Sequence, residues 1–146
     1  MWEFECFEIE GYKITPLSAN HDFYTDPFIF LIEKDGKFIL HSNDTGYYPE
    51  KMFAYLKEHP VHIDLASFDC TEPMLEPENN EKMGHMNFTT VCHVKEKLVE
   101  FGCIDENTIC VVNHFSHNGK MLHHDIEKMA SKKGFLVSYD GMEIEI

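Results

Sequence analysis

The sequence predicts an α+β domain in which a mixed β-sheet is covered by helices on one face. Two observations carry that expectation. Short apolar runs separated by turn residues fill the first third of the chain, and helical and strand-like stretches then alternate to its end. The helical stretches suffice for one face of a sheet, so the other face must meet something else. With 146 residues, 43% hydrophobic and 26% charged, the chain reads as a single domain, 1–146, and not as a disordered or fibrous polypeptide.

Taken in order, residues 2–10 alternate apolar and polar as a strand does, until Gly11 interrupts them. A second strand is expected over 12–17, ending in the polar loop Ser18-Ala19-Asn20-His21-Asp22. An apolar run over 27–32 and a return over 38–40 flank Lys34-Asp35-Gly36-Lys37, the pattern of a hairpin with an Asp-Gly turn. Pro49 opens a helix that runs to about residue 58, with Met52, Phe53 and Leu56 on one face. A buried strand follows over 61–68, and then a polar, aperiodic loop over 70–84 whose length suggests function. Val91, Val94, Leu98 and Phe101 recur at helical spacing over 87–101, with Gly102 placed for a left-handed cap. A short strand over 108–112, a helix over 122–133 closed by Gly134, and a strand over 135–139 come next. Asp140-Gly141 would turn the chain into a last strand over 142–146.

Charge and cysteine usage narrow the function. Twelve basic against 26 acidic residues give a net charge of −14, a field that repels polyanions and argues against nucleic acid as a partner. Residues 2–10 hold neither a basic start nor a long apolar run, so neither a signal peptide nor a membrane span is expected. The five scattered cysteines contain no CxxC pair and read as reduced thiols of a cytoplasmic protein.

Ten histidines are many for this length, and their placement matters more than their number. Four polar clusters fall where strands should end: Asn20-His21-Asp22, Asn43-Asp44-Thr45-Gly46, Asp69-Cys70-Thr71 and Asn113-His114-Phe115-Ser116-His117. Loops at strand ends converge while the strands hold them, and imidazole with carboxylate suits zinc, manganese or iron. The remaining histidines have plainer readings. His59, His62, His123 and His124 belong on the surface, His93 beside the apolar stripe of its helix, and His41 on the hairpin strand.

The ordered set Gly11-Tyr12-Lys13-Ile14-Thr15-Pro16-Leu17, Asn20-His21, Ser42-Asn43-Asp44-Thr45-Gly46, Asn113-His114-Phe115-Ser116-His117 and Tyr139-Asp140-Gly141-Met142-Glu143-Ile144 resembles metallo-β-lactamase-superfamily hydrolases. Within them it is most similar to the phosphoribosyl cyclic phosphodiesterase branch. That resemblance implies an αββα-type fold and hydrolysis of a small phosphodiester. It makes His21 a ligand to one divalent metal, His114 a ligand to a second, and Asp44 the carboxylate bridging both. It matches His85, in Gly84-His85-Met86-Asn87, to a catalytic histidine near the substrate phosphate, where a helix N-terminus favours an anion and an imidazole could protonate a leaving oxygen. A solvent-facing neighbour of the helix cap is the other reading of His85. Asp69 would hold a histidine or a loop from behind, and His117 is a further donor that the family pattern passes over.

The superfamily's His-x-His-x-Asp-His run, which supplies further ligands to each metal, does not occur in this sequence. The resemblance therefore covers a carboxy-terminal half of the fold, with three ligands for two metal positions and little expectation of catalysis by this chain alone. It also implies an exposed apolar sheet face, with Trp2, Phe28, Phe30, Ile32, Phe38 and Leu40 as candidates. The expected partner is an amino-terminal half, or a second copy of the chain. A non-catalytic homodimeric interaction protein that kept the fold is the alternative, and a one-metal hydrolase or a truncated reading frame are the others.

Overall fold

The computed structural model describes residues 2–81 and 83–146. Seven strands form one mixed sheet in sequence order: β1 (Phe7–Ile9), β2 (Tyr12–Ser18), β3 (Phe28–Lys34), β4 (Lys37–Ser42), β5 (Leu65–Asp69), β6 (Ile109–Asn113) and β7 (Leu136–Val137). Strands β1 to β4 pair antiparallel, whereas β4–β5, β5–β6 and β6–β7 pair parallel. Two two-residue turns build the antiparallel part. Both central residues have positive φ in each, Glu10 and Gly11 (51° and 81°) and Asp35 and Gly36 (51° and 79°), the geometry that matches strand twist and favours glycine second.

The three parallel steps run through α1 (Glu50–Glu58), α2 (Phe88–Glu100) and α3 (His123–Ala130). Such crossovers take one hand, and here each moves the chain the same way across the sheet, which places all three helices on one face. Burial agrees. Met52 and Leu56 of α1, Val91, Val94 and Leu98 of α2 and Ile126 of α3 join one core with Leu17, Ile29, Leu31, Leu40, Ala66, Phe68 and Val112 of the sheet. Asn87 caps α2 by accepting from the Thr90 N–H at 2.8 Å, and Gly102 (φ 77°) follows its end.

The opposite face carries an aliphatic row across five strands, Ile14–Ile32–Ile39–Leu65–Ile109 in register, and none of these residues belongs to the core. Phe28 and Phe30 lie on this side, as expected, with Ile32. Leu40 does not: it is fully buried under the helices, with Phe38 packed against the same core, because the tight turn sets the register so that Ile39 faces the open side. Trp2 is exposed outside the sheet.

Other expectations shift at their edges. The first strand keeps only Phe7–Ile9, because Phe4 (φ 62°) leaves the extended conformation and stacks on Tyr55 of α1 with ring centroids 4.4 Å apart. The strand expected over 61–68 begins at Leu65; before it, the Ile63 N–H bonds to Cys103 and the Asp64 N–H to Phe38. Residues 142–146 form no strand. The Met142 N–H closes the Asp140-Gly141 turn onto Tyr139, and β7, two residues long, gives the alternation beyond it nothing to pair with. All five cysteines are unpaired. No helix among the described residues is long and apolar enough to cross a membrane.

Candidate metal centre

Two antiparallel steps separate β2 from β4, so β2 runs in the direction of β4, β5 and β6, and all four end at one edge of the sheet. The four polar clusters lie just beyond those ends. Asp44 follows β4, Asp69 closes β5, His114 follows β6, and His21 lies three residues past β2. The loop over 70–84 brings His85 among them.

Donor atoms of Asp44, Asp69, His85 and His114 all lie within 4.8 Å of one another. His114 Nε2 is 3.3 Å from Asp44 Oδ1, and His21 Nε2 is 4.0 Å from the same oxygen. Behind them each imidazole is anchored through its other nitrogen. His21 Nδ1 is 2.9 Å from the Gly84 carbonyl, to which it can only donate. His85 Nδ1 is 2.9 Å from Asp69 Oδ2, and His114 Nδ1 is 2.8 Å from Thr71 Oγ1. A ring held this way keeps its Nε2 lone pair free for a cation, the usual arrangement behind a metal-ligating histidine.

Asp69 is fully buried and saturated with donors. Oδ1 accepts from the Thr71 N–H (3.0 Å) and hydroxyl (2.9 Å), and Oδ2 from the Thr45 N–H (3.3 Å) and His85. Asp44, in contrast, is exposed. One carboxylate therefore organises the site from inside and the other opens to solvent. Asn20 ties the β2 end to the β4 end: its N–H donates to Thr45 Oγ1 at 3.0 Å, and its carbonyl accepts from the Gly46 and Gly84 N–H groups, both at 2.9 Å. Gly84 (φ 103°) thus touches Asn20 with its N–H and His21 with its carbonyl, in a backbone conformation other residues avoid.

A divalent ion fits this donor set. Two ligands on a tetrahedral ion with bonds of about 2.0–2.1 Å lie about 3.3 Å apart, the separation found between His114 Nε2 and Asp44 Oδ1. Asp44 (φ 51°) and His114 (φ 64°) also adopt left-handed backbone conformations, which cost a non-glycine residue about 1–2 kcal/mol and concentrate at functional sites.

Asp44, Asp69, His85 and His114 thus come together with His21 at their margin, 4.0 Å from Asp44 Oδ1, and the solvent-facing reading of His85 gives way to its bond with Asp69. His117 is exposed in a 3-10 turn (His117–Gly119) outside the group. His93 is half-buried beside Glu78 at 3.0 Å, and His59 bonds back to Tyr55 at 3.1 Å. Sequence alone assigns no individual role to Thr71, Thr45 or Asn20. Only the Asp-x-Thr spacing of Asp69 and Thr71, which suits a side chain capping its own turn, marks one of them.

No protein-family model and no curated protein matches the sequence. Solved structures do match. The metallo-β-lactamase-fold protein YhfI from Bacillus subtilis aligns with TM-score 0.69 and 14% identity, over 97% of this chain and 53% of its own. Zinc-bound PqqB from Methylobacterium extorquens aligns with TM-score 0.66 and 16% identity, over 100% and 55%. A metallo hydrolase from the archaeon Ignicoccus hospitalis gives TM-score 0.66 and 16% identity, over 99% and 60%. At this identity the likeness establishes fold: the α+β architecture is that of metallo-β-lactamase-fold proteins, and the chain spans about half the length of those it matches.

Proposed function

We propose that this chain is the ligand-bearing carboxy-terminal half of a metal-dependent hydrolase that acts on a small phosphodiester, completed by an amino-terminal half across its open sheet face. The observation that carries the reading is the pair of anchored imidazoles, His21 and His114, whose Nε2 atoms approach one oxygen of Asp44 at 4.0 and 3.3 Å. In this reading His21, Asp44 and His114 hold zinc, manganese or iron; the ion supplies Lewis-acid activation of the phosphoryl oxygen and of water. Asp69 orients His85 through Nδ1, which leaves its Nε2 to hold or deliver a proton at the leaving oxygen. The net charge of −14 supports a small phosphodiester over a nucleic-acid chain.

One feature supports a completing half: the open face presents an unbroken aliphatic row. That same face favours one second reading, a non-catalytic homodimer.

The test is metal content by elemental mass spectrometry on protein stripped and reloaded with zinc or manganese, beside Asp44→Ala. At least one ion per chain, lost in the variant, is expected. No ion in either protein rejects a metal site that this chain assembles alone, and a stable metal-free dimer then favours the homodimer over a half awaiting its partner.

A further inference from the structure

We infer that Thr71 is the positioning residue that sets the tautomer of His114, relaying the Asp69 carboxylate to that imidazole through its hydroxyl. Four polar atoms crowd Thr71 Oγ1: His114 Nδ1 at 2.8 Å, Asp69 Oδ1 at 2.9 Å, the His114 carbonyl at 2.9 Å and His85 Nδ1 at 3.1 Å. A hydroxyl has one proton to give and two lone pairs to offer, so it cannot donate to all of them. The strongest acceptor is the buried carboxylate, whose hydrogen bonds are charge-assisted. The Thr71 proton goes there, and its lone pairs face the two imidazoles.

The consequence differs between the two rings. His85 Nδ1 also reaches Asp69 Oδ2 directly, at 2.9 Å, so its tautomer is fixed without Thr71. His114 Nδ1 stands 3.5 Å from that oxygen, too far for a good bond, and Thr71 is its hydrogen-bond partner among the described residues. With a lone pair facing it, His114 Nδ1 carries the proton, so in the neutral ring the bare nitrogen is Nε2, 3.3 Å from Asp44 Oδ1. Turning the hydroxyl round would strip Asp69 Oδ1 of a donor and place the proton on His114 Nε2, the atom directed at the proposed metal position. One hydroxyl orientation thus decides whether His114 can be a ligand.

The test combines nitrogen NMR with metal binding. Long-range proton–nitrogen spectra of the metal-free protein at about pH 8, above the ordinary range of imidazole, read the His114 tautomer, assigned with His114→Gln. Wild type and Thr71→Ser should show Nδ1–H, and Thr71→Val should move His114 toward Nε2–H while His85 stays Nδ1–H. Zinc affinity, by competition with a chromogenic chelator, should fall about 10–100-fold in Thr71→Val and recover in Thr71→Ser. This second arm rests on the proposed metal site: absence of zinc binding by wild type rejects that site and leaves the tautomer result standing. An Nε2–H ring at His114 in wild type overturns the inference without any variant, as does an unchanged tautomer in folded Thr71→Val.

Discussion

Asp69→Asn isolates the buried carboxylate, because it keeps shape and removes one acceptor and the charge. The carboxylate receives four donors, two at each oxygen. An amide retains one acceptor oxygen. Turned to keep both Thr71 bonds, it aims its NH2 at the Thr45 N–H and at His85 Nδ1. The imidazole can exchange tautomers and accept. The Thr45 N–H cannot, and Thr45 is fully buried. An unsatisfied buried donor costs about 1–3 kcal/mol, and each surviving bond loses about 1 kcal/mol when its acceptor becomes neutral. The sum is a loss of about 3–5 kcal/mol, a large share of a small domain's stability. Urea unfolding of the metal-free protein at neutral pH, followed by circular dichroism, measures it apart from any ion. A loss under about 1 kcal/mol would refute the view that Asp69 organises this edge, since no rotamer of an amide satisfies all four donors.

Two further perturbations probe the sheet. Leu40→Ala should cost about 2–5 kcal/mol because Leu40 is fully buried beneath the helices, whereas Ile39→Thr, one residue away on the open face, should cost less than about 1 kcal/mol in the dilute single chain; equal losses in urea titrations would place the register wrongly. Burial opposes ionisation of Asp64, but the Lys37 ammonium at 2.8 Å and the Phe38 N–H at 2.8 Å outweigh it and hold the carboxyl below its usual range. A depressed folded pKa stabilises above the unfolded value of about 3.9 and is lost as pH falls through the folded value. Asp64→Asn should therefore destabilise by about 1 kcal/mol at pH 7 and by progressively less below about pH 4, as urea midpoints across that range would show; a deficit that grows on acidification contradicts this.

The sheet and its helices were legible because their signals are local. Asp35-Gly36 fixes a hairpin, and the stripe of Val91, Val94 and Leu98 fixes α2. What misled was parity. Phe38 and Leu40 look like partners of Phe28, Phe30 and Ile32 in one apolar face, yet a two-residue turn sends Leu31 opposite Leu40 and puts them beneath the helices. The tail over 142–146 alternates like a strand, but a strand needs a neighbour, and alternation does not supply one. The donors themselves were legible as clusters after strands. What joins them was not: Asn20 reaches Gly46 and Gly84, and Thr71 reaches His114, across separations that no spacing rule spans.

Those unseen connections bear on what makes the cluster a site. Asp44 and His114 would each be easier to hold in ordinary extended or helical backbone, and local sequence offers no glycine at either position. Their left-handed conformations persist only where the surroundings over-determine them. At Asp44 the next residue, Thr45, is tied by its N–H to Asp69 and by its hydroxyl to Asn20. At His114 the Thr71 hydroxyl accepts from the ring Nδ1–H and donates to Asp69. Both networks end on the one buried carboxylate, so the two left-handed non-glycine residues among these donors share a single anchor. The strands deliver the donors to the edge, but it is Asp69, working through Thr45 and Thr71, that turns them toward one another.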